Sequence, residues 1–371
     1  MNRRVAIVLL LAVFSMGASP VHVGTLQAGP HNGITDVPGV RVAQVTKIEG
    51  TDVRTGATGI IPNADPWNVR VARATYALNG NGEMTGVQWI EQSGFLETPI
   101  VLTDTLDVGR ADDGVIWWMM QKYPQIGVRD DVPLPVVAEC DDQGFNDIRG
   151  RHVTAEDVTT MLDGASTANF ARGAVGAGTG MHAFGFKGGI GSSSRVLPAA
   201  LGGYTVGVLV NLNTGSREEL IIDGVHVGRA LRNELLPRYN RAAAAPRTGR
   251  AADGSIIIVV ATDAPVDAGR LRDIAKRTSL GLGRTGATSH VSSGDLMIAF
   301  STTHTFPRRG GISGPPLMLA EDRVDALFGA TADATEEAID DALFSAKTMT
   351  GRNGTTLYGL PYERVRPLLR R

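Results

Sequence analysis

Residues 253–261 read Asp-Gly-Ser-Ile-Ile-Ile-Val-Val-Ala, a turn that runs directly into an apolar segment. An Asp-Gly turn followed by β-branched residues predicts a buried strand that begins at Ser255. The preceding residues, from Asn240 to Ala252, are rich in Ala, Arg and Pro, which is typical of a loose linker. Ser255 is therefore predicted to lie at the junction between a linker and a core strand.

A serine in this position could become a chain end if the Gly254–Ser255 bond broke. It would then carry a hydroxyl nucleophile and a free α-amine, with a reference pKa of ~7.7–8.0, on one residue. Gly254 suits such a cleavage because it lacks a Cβ, so its carbonyl is open to attack by the Ser255 hydroxyl. Gly-Ser before a strand is also ordinary turn chemistry, and an intact turn serine is the alternative.

Further segments of the chain carry a resemblance to a known family. They are Gly33–Val40, Gly188–Arg195, Val206–Asn213, Val260–Pro265, Leu280–Gly286 and Ser292–Asp295. In this order, and together with Asp253-Gly254-Ser255, they resemble the self-processing L-aminopeptidase/D-amino-acid esterase and β-peptidyl aminopeptidase family of N-terminal serine hydrolases. The resemblance extends from about residue 30 to the C-terminus.

The resemblance implies a four-layer α-β-β-α sandwich that autoproteolysis splits into two interlocked subunits. Residues 20–254 would form the large (alpha) subunit and residues 255–371 the small (beta) subunit, both within one structural domain. Strands and helices are mixed in the sequence without strict β-α-β alternation, which independently indicates an α+β fold.

The resemblance also assigns roles around Ser255. Ser293 and Asp295 correspond to the family's second serine and its acidic partner. Alternation along a strand would place both side chains on one face, which suits a relay with Ser255. Residues 292–295 could instead form a simple hairpin turn.

Two more positions match the family's binding groups. An acyl-transfer enzyme needs hydrogen-bond donors for the oxyanion, and Asn213 matches the family's oxyanion-hole asparagine. Asn211, two residues earlier on the same strand face, is the alternative. Glu139 matches the glutamate that binds the substrate's ammonium group. Gly144 stands where the family usually has an aromatic residue, a departure that bears on side-chain specificity.

Composition limits the possible functions. The chain has 371 residues, of which 43% are hydrophobic and 20% charged, enough for a large core in one or two domains. The net charge of −2 argues against a nucleic-acid partner, because binding phosphates requires a basic surface. The 46 glycines predict many tight turns and close backbone approaches.

The N-terminus is typical of a secretory signal peptide. A basic Asn2-Arg3-Arg4 precedes the apolar run Val5–Phe14, and small residues follow at 17–19. The run is short for a membrane span, which needs ~20 residues. We therefore predict a signal peptide over residues 1–19, a periplasmic or secreted protein, and no membrane contact after its removal. An uncleaved anchor is the alternative.

Other chemistries have weaker support. Cys140, the single cysteine, is flanked by carboxylates that would raise the pKa of its thiol, which argues against a nucleophilic role. The glycine-rich tract Gly176–Gly180 lies within strand-like sequence and is followed by more glycine, whereas a dinucleotide site needs a strand before the glycines and a helix after them. The histidines are scattered, and Asp141-Asp142 is interpreted as a solvated loop. We expect neither a metal nor a cofactor.

Hydrophobic patterns predict the remaining elements. Strands are expected at Val40–Val45, Thr58–Ile61, Arg70–Thr75, Ile100–Thr103, Leu134–Ala138, Val175–Phe186, Tyr204–Leu212, Ser255–Thr262 and Leu296–Ser301. Helices are expected at Val108–Tyr123, after a capping box at Thr154, at Val227–Leu236, at Asp267–Leu280 with a cap at Gly281 or Gly283, and at Asp333–Met349.

These observations lead to one functional hypothesis. The protein is expected to be a self-cleaving N-terminal-serine aminopeptidase that releases N-terminal residues from short peptides, amides or esters with a free amine, with β- and D-amino acids as candidate residues. By the resemblance, it would form a homo-oligomer of processed heterodimers. The alternatives are an acyltransferase of the N-acetyl-ornithine transferase type and a non-enzymatic periplasmic binding protein.

Overall fold

The computed structural model describes residues 19–239, 254–310 and 319–369. The predicted signal peptide, apart from Ser19, and the predicted linker from Asn240 to Ala252 lie outside the described residues. The strands are β1 (Arg41–Glu49), β2 (Val53–Ile61), β3 (Val69–Gly80), β4 (Phe95–Leu96), β5 (Ile100–Thr103), β6 (Val136–Glu139), β7 (His182–Ala183), β8 (Phe186–Lys187), β9 (Gly189–Val196), β10 (Thr205–Asn213), β11 (Ser255–Thr262), β12 (Gly294–Pro307), β13 (Met349–Thr350) and β14 (Thr356–Leu357). The α-helices are α1 (Val87–Ser93), α2 (Val108–Lys122), α3 (Ala155–Asp163), α4 (Val227–Ala230), α5 (Ala268–Arg284), α6 (Glu321–Ser345) and α7 (Tyr362–Leu369).

Most of these strands form two mixed sheets. The larger sheet has six strands in the order β4-β3-β12-β11-β10-β9, in which β11 and β12 are parallel and the other neighbours antiparallel. The smaller sheet has the order β1-β2-β5-β6, with β5 and β6 parallel. Because β10, β11 and β12 are neighbours, residues far apart in the sequence meet at the strand ends.

Strand β11 is apolar from Ile256 to Ala261 because both of its faces are buried. Ile256, Ile258 and Val260 belong to an apolar cluster that includes side chains of α5 and α6. Their alternating neighbours on β11, including Ile257 and Val259, belong to a second cluster shared with side chains of the smaller sheet. A third cluster joins the smaller sheet to α2 and α3. The protein is thus a mixed α+β fold with helices and sheets packed face to face.

The structure confirms several predicted elements. Strands β5 and β11 have the predicted bounds, and α2 begins at Val108 as expected. The Thr154 hydroxyl accepts from the Asp157 amide and caps α3, which confirms the capping box. Within the described residues, no helix has the length and hydrophobicity that a membrane span requires.

The prediction of a long strand at Val175–Phe186 is wrong. Gly176–Gly178 form a short 3-10 helix, and Gly176 has a φ of 53°. Phe184 and Gly185, with φ of 49° and 68°, then turn the chain into the hairpin β7–β8. Left-handed residues cannot continue a strand, so the small and apolar alternation here indicates tight turns.

The helix boundaries also need correction. Helix α4 ends at Ala230 rather than Leu236. Helix α5 continues through Gly281, where an added Cβ would overlap the Ala332 carbonyl oxygen of α6. This glycine permits close helix packing and is not a cap. Helix α6 begins at Glu321 and ends at Ser345, so the predicted Asp333–Met349 was placed too late.

Candidate active site

Ser255 lies where three strand ends of the larger sheet meet. It is the first residue of β11 and is only 6% exposed. Its antiparallel neighbour on β10 is Asn213, and its parallel neighbour on β12 is Gly294. The register therefore brings the residues around 213, 255 and 294 together, although they are far apart in the sequence.

The side chain of Asn213 faces Ser255. Its Nδ2 donates to the Ser255 Oγ at 3.3 Å and to the backbone oxygen of Asp141 at 2.9 Å. Its Oδ1 accepts from the backbone amide of His182 at 2.9 Å. These contacts fix the orientation of the amide, because a flipped side chain would place Oδ1 against two oxygens. An N–H donor thus points at the Ser255 hydroxyl.

Asn211 lies in a different environment. Its side chain is fully buried, and neither Oδ1 nor Nδ2 has a hydrogen-bond partner. Its backbone oxygen lies 3.6 Å from the Sγ of Cys140. The geometry therefore favours Asn213 over Asn211 as a donor at Ser255, and the oxyanion role of Asn213 stays a prediction.

Ser293 and Asp295 are hydrogen-bonded to each other. The Ser293 hydroxyl donates to Oδ1 of Asp295 at 2.7 Å, and Asn79 donates to Oδ2 at 3.3 Å. Burial raises the pKa of Asp295, and the hydrogen bond from Ser293 opposes this rise. The backbone amide of Ser293 donates a hydrogen bond to the backbone oxygen of His290 and so closes a turn. Strand β12 begins at the next residue. The two interpretations of residues 292–295 therefore each hold for part of the segment: Ser293 ends a turn, and Asp295 lies in a strand.

Asn79 is a site residue that sequence analysis missed. Besides Asp295, its Nδ2 reaches the backbone oxygens of Ser289 at 2.7 Å and His290 at 3.1 Å. It lies in β3, directly opposite Asp295. Its sequence context, Leu-Asn-Gly-Asn, is typical of a turn and gives no local signal for this contact.

Glu139, the last residue of β6, is buried at a cavity wall with 4% exposure. Its Oε1 accepts from the backbone amide of Glu83 at 2.9 Å, and its Oε2 accepts from the Thr105 hydroxyl. Burial raises the pKa of Glu139, and the negative charges of Asp141 and Glu83 raise it further. A cationic ligand would offset both effects, so the position suits an ammonium group.

The cavity at this position has a volume of about 450 Å³. Its lining includes Asn81, Gly82, Glu83, Thr105, Glu139, Asp141, Gln143, Gly144, His182, Asn213, Gly254, Ser255 and Ser292. Three predicted site residues, Ser255, Asn213 and Glu139, thus share one cavity. An added Cβ at Gly144 would meet no atom within 4 Å, so the missing side chain leaves this cavity wider.

Cys140 is fully buried, and burial followed by the negative charge of Glu139 raises the pKa of its thiol well above the ordinary value. A buried thiol of this kind is a poor nucleophile. Gly176–Gly178 are followed by the short strand β7, without the helix of a dinucleotide site. Among the described residues, no group of three or more His, Cys, Asp or Glu side chains is placed to hold a metal ion.

Comparison with known proteins identifies the family. Peptidase family S58 matches residues 32–357. This chain belongs to peptidase family S58. A curated relative, the beta-peptidyl aminopeptidase BapA of Sphingosinicella microcystinivorans, is 40% identical over 356 residues, which cover 92% of this chain and 89% of the relative.

Solved structures of similar proteins agree with this membership. The beta-aminopeptidase of Burkholderia sp. is 38% identical with a TM-score of 0.85, and covers 94% of this chain and 96% of its own. The L-aminopeptidase D-Ala-esterase/amidase of Ochrobactrum anthropi is 36% identical with a TM-score of 0.84 and the same coverage. It is described as a prototype of the serine aminopeptidases and a variant of the Ntn hydrolase fold.

The S58 peptidase is accordingly a serine aminopeptidase of the N-terminal nucleophile type. Membership of this family favours hydrolysis over both alternatives drawn from the sequence, the acyltransferase and the non-enzymatic binding protein.

Proposed function

We propose that this S58 peptidase cleaves its own Gly254–Ser255 bond and then uses Ser255 as nucleophile and its free α-amine as base. The observation that carries the proposal is the contact of the Ser255 hydroxyl with Asn213 Nδ2, 3.3 Å away, in the cavity that also holds Glu139. A nucleophile, an oxyanion donor and a carboxylate then face one substrate.

Self-cleavage begins when the Ser255 Oγ attacks the Gly254 carbonyl carbon. The Gly254 oxygen accepts from the Gly294 amide at 3.2 Å, which holds and polarises this carbonyl. A Cβ at Gly254 would lie 2.7 Å from Oγ1 of Thr214, so the packing requires glycine. As the acyl group moves from the Ser255 nitrogen to Oγ, the peptide C–N bond breaks, the hydroxyl proton passes to the nitrogen and the α-amine is freed. Water then hydrolyses the ester, which releases the Ser255 hydroxyl and the Gly254 carboxylate.

Turnover repeats this chemistry on a bound substrate. The substrate's ammonium pairs with Glu139, and the neutral α-amine of Ser255 takes the hydroxyl proton as Oγ attacks the substrate carbonyl. Asn213 donates to the oxyanion. The same proton then goes to the leaving amine, and water hydrolyses the acyl-enzyme. Ser293 and Asp295 flank Gly294, the register partner of Ser255, and would complete the relay that the family resemblance implies.

The proposed substrates are short peptides, amides or esters with a free amine. The relatives' names include β-peptides and a D-alanine ester or amide, so β- and D-amino acids belong to the proposed range.

Residues 20–254 and 255–371 would form interlocked subunits of a four-layer α-β-β-α sandwich, assembled as a homo-oligomer. The predicted signal peptide supports a periplasmic or secreted location.

Denaturing electrophoresis and N-terminal sequencing of the purified protein test the proposal. We expect two fragments, of which the smaller begins Ser-Ile-Ile-Ile. Ser255→Ala should give a single inactive chain. Ser301→Ala is the matched control, because this buried strand serine bonds the Ala264 oxygen away from the cavity, and it should be processed normally. Two fragments from Ser255→Ala would contradict self-cleavage by this residue.

A further inference from the structure

The hydroxyl of Thr105 reaches the carboxylate of Glu139 inside the cavity. It donates to Oε2, while the Glu83 backbone amide donates to Oε1. Among the described residues, the Glu139 carboxylate accepts these two hydrogen bonds. One comes from a backbone amide, and the other comes from the side chain of Thr105.

Two side chains near Glu139 do not favour its negative charge. Glu83 and Asp141 are carboxylates, and both raise the pKa of Glu139. The described residues form no ion pair with Glu139. A buried carboxylate without a counterion depends on its hydrogen-bond donors to remain charged.

Thr105 is itself held by the preceding residue. Asp104 is buried, and its Oδ1 accepts from the amides of Leu106 at 2.9 Å and Asp107 at 3.1 Å. Its Oδ2 accepts from the Thr55 hydroxyl at 3.0 Å. These contacts cap the short 3-10 helix Thr105–Asp107, so the hydroxyl of Thr105 is presented to Glu139 by a fixed turn.

We propose that Thr105 is a positioning residue for substrate recognition: its hydroxyl fixes the Glu139 carboxylate in the rotamer and charge state that bind the substrate's ammonium. This inference rests on the proposed role of Glu139. Loss of a hydrogen bond to a charged group is expected to lower kcat/KM for a free-amine substrate roughly tenfold to a hundredfold, mainly through KM. A substrate without the ammonium should be little affected.

The test compares two substrates of the processed enzyme. They are β-alanyl-p-nitroanilide and butanoyl-p-nitroanilide, in which a methyl group replaces the ammonium. The ratio of their kcat/KM values measures recognition of the amine, independently of the chemistry at Ser255. The variants are Thr105→Val, Thr105→Ser, Glu139→Gln and the double variant with valine and glutamine. The matched control is Thr159→Val, because Thr159 is half-buried in α3 and bonds the Gly114 and Ala155 oxygens.

We expect Thr105→Val to lower the ratio, Thr105→Ser to restore most of it, and Thr159→Val to leave it unchanged. In the Glu139→Gln background, the valine should cause little further loss, because both changes act through one contact. Self-cleavage reports folding of each variant. If Thr105→Val does not process, Thr105→Ala serves in its place.

Two outcomes separate the inference from the proposed function. A normal ratio in processed Thr105→Val or Thr105→Ala, with a low ratio in Glu139→Gln, overturns the role of Thr105 and leaves that of Glu139. A normal ratio in Glu139→Gln removes the ammonium-binding role of Glu139, and the inference falls with it. Additive losses in the double variant also count against Thr105 acting through Glu139.

Discussion

Asn213 Nδ2 lies 3.3 Å from the Oγ of Ser255, across directly paired ends of two antiparallel strands. The amide cannot flip without losing its bonds to the Asp141 oxygen and the His182 amide. This fixed N–H donor is already in place before a substrate carbonyl arrives. Such preorganised donors contribute most to catalysis, since no reorganisation is needed during the reaction.

Asn213→Ala should therefore lower kcat by about 10²–10³ with a smaller change in KM. Self-cleavage should slow as well, because Ser255 attacks a carbonyl in both reactions. Electrophoresis over time gives the processing rate, and kcat is measured on the processed fraction. Asn211→Ala is the control, and its processed form should keep its kcat, because its side chain has no partner to lose. The reverse pattern would assign the oxyanion role to Asn211.

Asn79→Ala should reduce both activity and stability. The change removes the donor to Oδ2 of Asp295 and frees the Ser289 and His290 oxygens. The bond to Asp295 is partly buried, and losing a hydrogen bond to a charged group costs about 1.5–3 kcal/mol. If the transition state loses the same free energy, kcat/KM falls by about tenfold or more. Steady-state kinetics and denaturant unfolding measure these effects. Asn68→Ala, an exposed asparagine bonded to Asp65, should behave like the unmutated enzyme. Equal effects at both positions would remove the case for Asn79.

The pH profile identifies the base. If the α-amine of Ser255 takes the proton, kcat/KM should rise as that amine deprotonates, with a reference pKa of ~7.7–8.0 that burial lowers. At higher pH the substrate's own ammonium deprotonates and leaves Glu139 unpaired. The expected profile is a bell. An ester whose amine is replaced by trimethylammonium should lack the falling limb.

His182 provides the control for this profile, because it lines the cavity and histidines are common bases. His182→Gln keeps the backbone amide that holds Asn213. The rising limb should keep its midpoint in this variant. A limb near pH 6.5 that disappears in His182→Gln would show that histidine is the base and that the N-terminal-amine mechanism is wrong.

Stability should fall as pH rises because of Asp104. Burial, followed by the charges of Asp142 and Asp107, raises the pKa of Asp104 from 3.8 to about 9. Above the ordinary pKa of an aspartate the folded state therefore binds more protons than the unfolded state, so the unfolding free energy falls as the pH rises. Asp104→Asn keeps the Oδ1 cap and removes the titration.

Denaturant unfolding at pH 5 and pH 8 measures this effect. The loss of stability between the two values should be smaller in Asp104→Asn than in the unmutated protein. Asp273→Asn, at an exposed ion pair with Arg270, should leave the pH dependence unchanged. An equal loss in Asp104→Asn and the unmutated protein would contradict the raised pKa.

Local sequence patterns predict an element correctly where its own residues carry a clear hydrophobic pattern. The apolar run Ile256–Ala261 predicts strand β11, because a strand that is buried on both faces is a nearly continuous apolar segment. Strand β9 gave no such signal. Its sequence Gly-Ile-Gly-Ser-Ser-Ser-Arg-Val lacks β-branched alternation, and a Cβ at Gly191 would overlap the Ala338 carbonyl oxygen of α6. The small residues of β9 allow α6 to pack close against this strand, and this contact becomes visible only in the folded structure.

The family motifs, the junction at Ser255 and the residue types suited to acyl transfer can be recognised in the amino-acid sequence, because they depend on order and spacing along the chain. The folded arrangement is needed to distinguish Asn213 from Asn211 as the donor that faces Ser255, and to find the contacts of Thr105 and Asn79. Asn79 and Asp295 are 216 residues apart, and they meet because β3 and β12 pair in one register. Strand register and turn geometry set such contacts through the whole core, so no local pattern encodes them.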